Sequence, residues 1–329
     1  MKAFDYVAPD HEAEALEMLA AEPGGSEILA GGTDLIGLMK QMIVTPDRVV
    51  NIMEIPTLKG VSADSQGVTI GAATTLDELL AAPELEQFPA VKQAIRGINS
   101  MQLQNQGTLG GELCQRPRCW YFRNGYGLLA QGGRLVAEGD NRYHAIFGNA
   151  GPAKFVHPSR LAPALVALGA QVRIAGPGEA DETLLPLETF FRTPRHEGQR
   201  EHVLAPNQLV THIHLPAAEG KGNATYEVRH GEGPDYPLAS AAAALRFNGS
   251  RVSEAQIVLG HVAPTPWYSL DAVNAIVGQE VNYDTARAAG EAAVAAATPL
   301  SGNEYKVQLA RTAVQRAILL AAGLETGGF

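Results

Sequence analysis

The feature that most constrains this chain is a short apolar strand that runs into two glycines and then restarts as a helix. In "EILAGGTDLIGLMK" the pair Gly31-Gly32 separates strand from helix, and Thr33 is the predicted helix N-cap. The stretch "GVTIGAATTLDELLAAPEL" repeats this order with a Gly-Ala break and a helix capped by Thr74 or Thr75. The alternation predicts an α/β arrangement in the N-terminal part of the chain.

The rest of the chain divides into an irregular middle and a regular C-terminal part. A first helix is predicted to begin after Asp10, whereas residues 124–156 are glycine-rich and too long for an ordinary connection. Helix and strand return in "PSRLAPALVALGAQVRIAG", and "PAAEGKGNA", near 216–223, predicts a boundary. Beyond it we expect three alanine-rich strands in "TYEVRH", "ASAAAALRFNG" and "AQIVLGHVA", then helices over 267–277, 284–297 and 303–323.

Composition and charge exclude several classes of protein. With 329 residues and 46% hydrophobic content, the chain can bury a sizeable core and form two or three domains. Its net charge of −10 argues against a nucleic-acid-binding protein. No apolar stretch reaches the roughly 20 residues of a membrane-spanning helix, and the acidic N-terminus is not a signal peptide. Two cysteines form no disulfide framework, which favours a reducing compartment.

Two glycine-containing loops are candidate anion sites. The first follows the strand at Gly31-Gly32, and the second, "NQGTLGGEL", contains Thr108, Gly110 and Gly111. Free N–H groups at such turns converge on an anion, although neither loop matches a common nucleotide fingerprint and an ordinary tight turn is the alternative. Residues 112–160 are also locally basic, with seven Lys or Arg against three Asp or Glu. Together these features favour a pyrophosphate held from two sides, while a solvated face explains so modest a charge excess equally well.

Two other patterns carry candidate chemistry. The stretch "GTLGGELCQRPRCWYFR" holds Cys114 and Cys119, and its composition is consistent with a metal cluster, a redox switch or a phosphate site. The C-x4-C spacing is not a zinc pattern. His212 and His214 point the same way on a predicted strand, but no third metal ligand accompanies them, so a structural role is favoured.

Taken together, these segments resemble the FAD-binding (medium) subunits of molybdenum hydroxylases. That family includes the flavoprotein subunits of carbon monoxide dehydrogenase, bacterial xanthine dehydrogenase and aldehyde oxidoreductases. The resemblance covers nearly the whole chain, and six motifs occur in the family's order. They are "LAGGTDLIGLMK", "GTLGGELCQRPRCWYFR", "VHPSRLAPALVALGA", "YEVRHGEGPDYPLAS", "LGHVAPTPW" and "PLSGNEYKVQLARTAVQRAIL".

The resemblance implies an α+β fold, with a two-lobed FAD-binding fold of the vanillyl-alcohol-oxidase (PCMH) type and a C-terminal α+β domain of a three-stranded sheet plus helices. The implied domains are 1–56, 57–218 with a degenerate iron–sulfur insertion at about 115–155, and 219–329. FAD is expected to lie extended between the two lobes. The residues expected to bind it are Leu29, Ala30, Gly31, Gly32, Thr33, Asp34, Leu35, Gly107, Thr108, Gly110, Gly111 and Ser159.

The implied function is electron transfer, with no catalytic acid or base in this chain. Such a subunit takes electrons from [2Fe–2S] clusters of a small subunit, which a molybdenum-cofactor large subunit reduces, and passes them through FAD to NAD+, oxygen or another acceptor. The expected assembly is a heterotrimer or its dimer. The expected compartment is the cytoplasm, with periplasmic export on a partner subunit's signal as the alternative.

The wording "CQRPRCWYFR" resembles a subgroup whose flavin subunit also carries a [4Fe–4S] cluster held by four cysteines. Only Cys119 matches one of these ligands, and Cys114 precedes the usual first one. The remaining ligand positions fall at Leu128 or Leu129, at Leu135 and at Ala153. We therefore expect that this chain has lost the cluster and binds no metal.

Four residues depart from the family's flavin site. The family usually has Asn at Glu112, Asp at Arg160, Arg near Gln104 and Lys at Glu227. Glu112 and Arg160 change charge in opposite senses, which predicts that they pair. Because a carboxylate beside a phosphate loop repels an anion, a flavin-less structural or assembly subunit stays open as an alternative. A free-standing flavin reductase or oxidase is a third alternative, independent of these departures.

Overall fold

A three-stranded parallel sheet forms the N-terminal part of the computed structural model, which describes residues 1–178, 180–231 and 233–327. Glu232, within the motif "YEVRHGEGPDYPLAS", lies outside the described residues, as do Glu179 and the last two residues. The sheet order is β1-β3-β2, and α1 and α2 supply the crossovers that parallel strands require. The elements are β1 (Asp5–Val7), α1 (Glu12–Met18), β2 (Ser26–Leu29), α2 (Leu35–Lys40) and β3 (Arg48–Asn51).

The central part of the chain is a five-stranded antiparallel sheet with short helices. Its strand order is β4-β5-β8-β6-β7, so the last strand of this part lies at the centre of the sheet. The strands are β4 (Val61–Ala63), β5 (Gly67–Gly71), β6 (Gln171–Ala175), β7 (Glu182–Pro186) and β8 (Leu209–Pro216). The helices are α3 (Leu76–Ala81), α4 (Pro89–Arg96), α5 (Met101–Gln106), α6 (Leu109–Cys114), α7 (Trp120–Arg123), α8 (Arg134–Glu138), α9 (Leu161–Ala167) and α10 (Leu187–Phe190).

Helix caps show where the sequence patterns succeed and where they fail. Thr75, one of the two predicted N-caps, caps α3 in a capping box in which its hydroxyl accepts from Glu78 N–H and the Glu78 carboxylate accepts from Thr75 N–H. The N-cap of α2 is Asp34 rather than Thr33, and that of α1 is His11 rather than Asp10. Neither side chain makes a cap hydrogen bond, so these two predictions were wrong by one residue.

The C-terminal part is an antiparallel sheet covered by helices, with strand order β12-β11-β10-β9. The three predicted strands are confirmed, and a two-residue fourth strand pairs at the edge where the first predicted helix was expected to begin. Buried alanines of β10 lie under the last helix, which explains its composition. The elements are β9 (Gly222–Val228), β10 (Ala239–Asn248), β11 (Arg251–Gly260), β12 (Trp267–Tyr268), α11 (Leu270–Ile276), α12 (Tyr283–Val294) and α13 (Tyr305–Ala321).

The irregular segment within 115–155 is built into two different cores. Ile146 and Phe147 both donate backbone hydrogen bonds to the Val262 carbonyl, at 2.8 and 3.0 Å, and Phe147 stacks on Trp267 at a centroid distance of 5.1 Å. Ile146 and Phe147 therefore pack into the core of the C-terminal part, whereas residues nearer both ends of the segment, including Leu128 and Phe155, pack into a separate apolar cluster. Across the described ranges, none of the helices combines the length and the apolar character needed to cross a bilayer.

Candidate functional site

The two glycine loops meet at a backbone contact between Gly31 and Gln106. A Cβ atom on Gly31 would lie 1.5 Å from the Gln106 carbonyl oxygen, so no other residue fits at this position. Gln106 is the last residue of α5 and immediately precedes Gly107. The first loop thus lies directly against the start of the second, although they are far apart in the sequence.

A cleft of about 350 Å³ opens beside this contact. Nine of the twelve residues predicted to bind the cofactor line it: Ala30, Gly31, Gly32, Thr33, Asp34, Leu35, Thr108, Gly110 and Gly111. Leu29 and Gly107 adjoin these residues in the chain without lining the cleft. Ser159 lies elsewhere, buried, with its hydroxyl accepting from Ala162 N–H at the start of α9.

The first loop offers free backbone donors to the cleft. Within the described part of the chain, the N–H groups of Gly32, Thr33 and Asp34 have no protein acceptor. Gly32 has a φ of +72°, a left-handed conformation that glycine adopts without strain and that turns the loop into α2. This loop is therefore the part of the cleft best suited to receive an anion.

Asp34 links the first loop to the arginine-rich segment. Its carboxylate accepts from Arg116 N–H at 2.7 Å and from Arg123 Nη2 at 2.8 Å, and Arg118 Nη1 lies 3.0 Å from it. The negative charge of Asp34 is thus neutralised by arginines rather than presented to a ligand. Its observed role is to hold the segment that follows α6 against the cleft.

The second loop uses its donors within the fold. Gly110 N–H donates to the Ala72 carbonyl at 2.8 Å, and Gly111 N–H donates to Thr108 Oγ1 at 3.2 Å. A Cβ on Gly110 would lie 2.9 Å from the Ala72 Cβ, so this glycine is needed for packing against Ala72, directly after β5. The two loops are therefore not equivalent, and the second supplies shape more than free donors.

Three arginines on the cleft wall were missed by the sequence reasoning: Arg116, Arg192 and Arg200. Arg116 Nε donates to Glu201 Oε1 at 2.8 Å, and Arg200 Nη1 donates to Glu27 Oε1 at 3.0 Å. Two of them come from the stretch "RTPRHEGQREH", which has no periodicity and belongs to the loop between α10 and β8. The high density of arginine and histidine in this stretch was the sequence signal from which Arg192 and Arg200 could have been predicted.

Glu112, Arg160 and Glu227 form one buried charged network, but not with the predicted pairing. Glu112 Oε1 accepts from the backbone N–H of Arg160 at 2.8 Å, whereas the Arg160 guanidinium pairs with Glu227 Oε2 at 3.4 Å. The expected side-chain pairing of Glu112 with Arg160 was therefore wrong. Burial raises the pKa of Glu112 to about 7, and it also raises the pKa of Glu227.

Arg160 and Tyr236 connect this network to a second cavity of about 280 Å³. The guanidinium lies 5.6 Å from the Tyr236 ring centroid and donates to the carbonyls of Gly97 and Asp235. Tyr236 OH donates to Gln115 Oε1 at 2.7 Å. Since Gln115 lines the first cleft and Tyr236 lines the cavity, one side-chain contact joins the two spaces.

Cys119 faces the cavity and contacts a histidine. Its Sγ lies 3.1 Å from His144 Nε2. Burial raises the pKa of the Cys119 thiol, and burial together with the nearby Lys306 lowers the pKa of His144 to about 4. Both pKa shifts disfavour a thiolate–imidazolium pair, which is the form in which a cysteine acts as a nucleophile.

Most of the apolar residues at the positions of the missing cluster cysteines pack into an apolar cluster. Leu128, Leu129 and Ala153 belong to one apolar cluster with Phe122 and Phe155, and Cys119 packs against that cluster. Leu135 is half-buried outside it. An apolar core occupies this part of the segment.

The two strand histidines make structural contacts on β8. His214 Nδ1 lies 3.2 Å from Thr69 Oγ1, and His212 Nδ1 lies 3.3 Å from Arg173 Nη1. Within the described residues, three metal-ligand atoms come together only at Asp10, His11 and Glu14, a largely exposed group. Neither strand histidine belongs to that group.

Comparison with known proteins gives two matching families. Residues 2–218 match "FAD binding domain in molybdopterin dehydrogenase", and residues 224–321 match "CO dehydrogenase flavoprotein C-terminal domain". The chain is 31% identical to the aldehyde oxidoreductase FAD-binding subunit PaoB of Escherichia coli (strain K12), covering 94% of this chain and 96% of the relative. It is 28% identical to the carbon monoxide dehydrogenase medium chain of Hydrogenophaga pseudoflava, covering 96% of each.

A solved structure has the same fold along nearly the whole chain. It is carbon monoxide dehydrogenase from Hydrogenophaga pseudoflava lacking the Mo-pyranopterin moiety of the molybdenum cofactor. The TM-score is 0.77 at 25% identity, and the match covers 97% of each chain. The two-lobed FAD-binding fold with a C-terminal α+β domain is thereby confirmed.

Proposed function

The chain belongs to the FAD-binding subunits of the molybdopterin dehydrogenases, and on that premise we propose that it transfers electrons within a molybdenum hydroxylase complex. It is an oxidoreductase subunit with FAD as its cofactor. The electrons come from [2Fe–2S] clusters of a small subunit, which a molybdenum-cofactor large subunit reduces, and go to NAD+ or another acceptor. The relatives named medium chain of carbon monoxide dehydrogenase support this role.

The observation that carries the proposal is the joined pair of glycine loops beside a basic cleft. The free N–H groups of the first loop receive phosphate oxygens, while Thr108 and the packed glycines of the second loop shape the adjoining wall of the cleft. FAD supplies both one- and two-electron chemistry when it is bound. The residues of this chain bind and orient it, and the contact from Gln115 to Tyr236 leads from the cleft to the aromatic cavity.

The same proposal includes the loss of a [4Fe–4S] cluster. Such a cluster is held by four thiolates, whereas this chain has two cysteines. The apolar packing of Leu128, Leu129 and Ala153 supports the replacement of the cluster by a hydrophobic core. We propose a cytoplasmic location, since two cysteines form no disulfide framework, with periplasmic export on a partner subunit's signal as the alternative. We propose a heterotrimer or its dimer as the assembly.

The flavin-less structural subunit is retained as the second candidate because of Glu112. Its side chain is half-buried one residue after Gly111, at the end of the second loop. An ionised group there opposes the binding of an anion. The neutral form favoured by its raised pKa removes most of that opposition below about pH 7.

The deciding experiment uses the purified chain co-expressed with its partner subunits. We expect a yellow protein that releases FAD on acid treatment, together with co-purification of molybdenum and [2Fe–2S] subunits. Colourless protein that does not take up added FAD would favour the structural subunit. Four irons per chain in the isolated subunit would contradict the loss of the cluster.

A further inference from the structure

The loop between α10 and β8 brings charged side chains to one wall of the cleft, whereas the glycine loops offer uncharged backbone N–H groups. Of its residues, Arg192 and Arg200 line the cleft, and His202 lies beside them. Arg116 completes this wall from the segment after α6. The wall therefore combines three guanidinium groups from two separate parts of the chain.

Two of the three guanidinium charges are already neutralised by the protein. Arg116 is bound to Glu201 at 2.8 Å, and Arg200 is bound to Glu27 at 3.0 Å and lies 3.7 Å from Glu201. Each carboxylate is thus engaged by a neighbouring arginine. These two arginines hold the wall together and are poorly free to bind a ligand.

Arg192 is different, because no carboxylate among the described residues pairs with its charge. Its backbone N–H donates to the Glu201 carbonyl at 2.8 Å, which fixes the start of the side chain. In the portion of the chain that the structure describes, no carboxylate lies within 4.0 Å of its guanidinium, and its buried Nε has no acceptor. An unpaired cation that is partly buried favours an anionic ligand.

The positive charges of the wall lower the pKa of His202, which is buried beside them. Burial lowers the pKa of His202 well below its usual value, and the charges of Arg200, Arg116 and Arg192 lower it further. The imidazole is therefore neutral and adds no charge of its own. The net excess on the wall is one positive charge, which belongs to Arg192.

We propose that Arg192 binds a phosphate group of the dinucleotide in the cleft that the first glycine loop also lines. It thereby makes the cleft select FAD over flavins that lack a pyrophosphate. This inference rests on the proposed function, because it assigns a residue to the cofactor site that the function requires. Both the free N–H groups at Gly32 and Thr33 and the Arg192 guanidinium belong to the same cleft.

The test compares cofactor-free wild-type protein with Arg192→Ala, Arg192→Lys and a control, Arg195→Ala. Arg195 lies three residues away on the same loop but is exposed and does not line the cleft. We expect Arg192→Ala to weaken FAD binding roughly 10- to 100-fold, as for a lost hydrogen bond to a charged group. Riboflavin binding and the urea midpoint should be unchanged, Lys should restore part of the loss, and Arg195→Ala should match wild type.

Several outcomes overturn the inference and separate it from the proposed function. The role of Arg192 is overturned if Arg192→Ala binds FAD as tightly as wild type does. It is also overturned if the variant loses as much affinity for riboflavin as for FAD. Neither result contradicts the proposal that the wild-type chain binds FAD. Wild-type protein that binds no FAD overturns the proposed function. In that case the anion-binding role of Arg192 is tested alone with inorganic pyrophosphate. A Tm increase for wild type but not for Arg192→Ala supports that role, and an equal or absent increase overturns it.

Discussion

Replacing Gly31 by alanine is expected to break the contact that joins the two glycine loops. The added Cβ would lie 1.5 Å from the Gln106 carbonyl oxygen and 2.5 Å from its carbonyl carbon. Since non-bonded atoms of this kind rest at roughly 3.5 Å, the loops must separate by about 2 Å. Both partners are backbone, so no side chain can rotate away.

The expected cost exceeds that of ordinary overpacking. Extra methylenes in a packed core cost about 1–3 kcal/mol, and here the clash is between two backbone segments, so we expect at least about 3 kcal/mol of lost unfolding free energy. FAD should also be lost, because the first loop can no longer present its N–H groups to the cleft. Urea denaturation and the FAD content of the purified protein measure the two effects.

Gly37→Ala is the matched control, six residues later in α2. A Cβ on Gly37 meets nothing within 4 Å, and the residue is exposed within the helix. Alanine there should raise stability by about 0.5–1 kcal/mol through its better helix propensity. If Gly31→Ala proves as stable as Gly37→Ala and retains FAD, the described contact between the loops is wrong.

Three further predictions concern the buried charges and the apolar cluster. Because burial raises the pKa of Glu112 to about 7, the folded protein keeps its proton where the unfolded chain has lost it. Wild-type stability should therefore fall between about pH 4.5 and pH 7 by up to about 3 kcal/mol, a fall that Glu112→Gln should remove in urea titrations at several pH values. Arg160→Met should cost about 3–5 kcal/mol by leaving Glu227 buried and unpaired; adding Glu227→Leu should recover part of that loss, and purely additive effects in this double-mutant cycle would argue against the pair. Leu128→Ala should cost about 2–5 kcal/mol and the half-buried Leu135→Ala clearly less, as measured by thermal unfolding, and equal losses would contradict a packed core at the former ligand position.

The glycine loops could be found from the sequence because their signals are local. An apolar strand, a glycine pair and a helix start follow one another within a few residues, and backbone geometry then places the loop at the sheet edge. The same local logic located Thr75, whose partner Glu78 is three residues away. The prediction of Thr33 as an N-cap was wrong because the N-cap is the next residue, Asp34. The Asp34 carboxylate is held by arginines that are distant in the sequence.

The charged part of the site could not be found in this way, because its partners are distant in the chain. Arg160 pairs with Glu227, which lies on β9, rather than with Glu112, although charge alone made Glu112 an equally good partner. Arg192 reaches the cleft from an aperiodic loop. Which of many charges become neighbours is decided by the packing of sheets and loops, and charge patterns along the sequence do not contain that information.

The packing of residues 146 and 147 into the C-terminal core limits how this protein can be divided or recombined. A cut between β8 and β9 looks natural, yet it would remove the Trp267 face on which Phe147 stacks and the Val262 carbonyl to which both residues donate. Lys306, buried in α13, also donates to the carbonyls of His144 and His261 and so ties the same segment down. If the C-terminal part is exchanged with that of a relative, the new part must pack against this segment. Chimeras should therefore fold only when the segment and the C-terminal part come from the same protein.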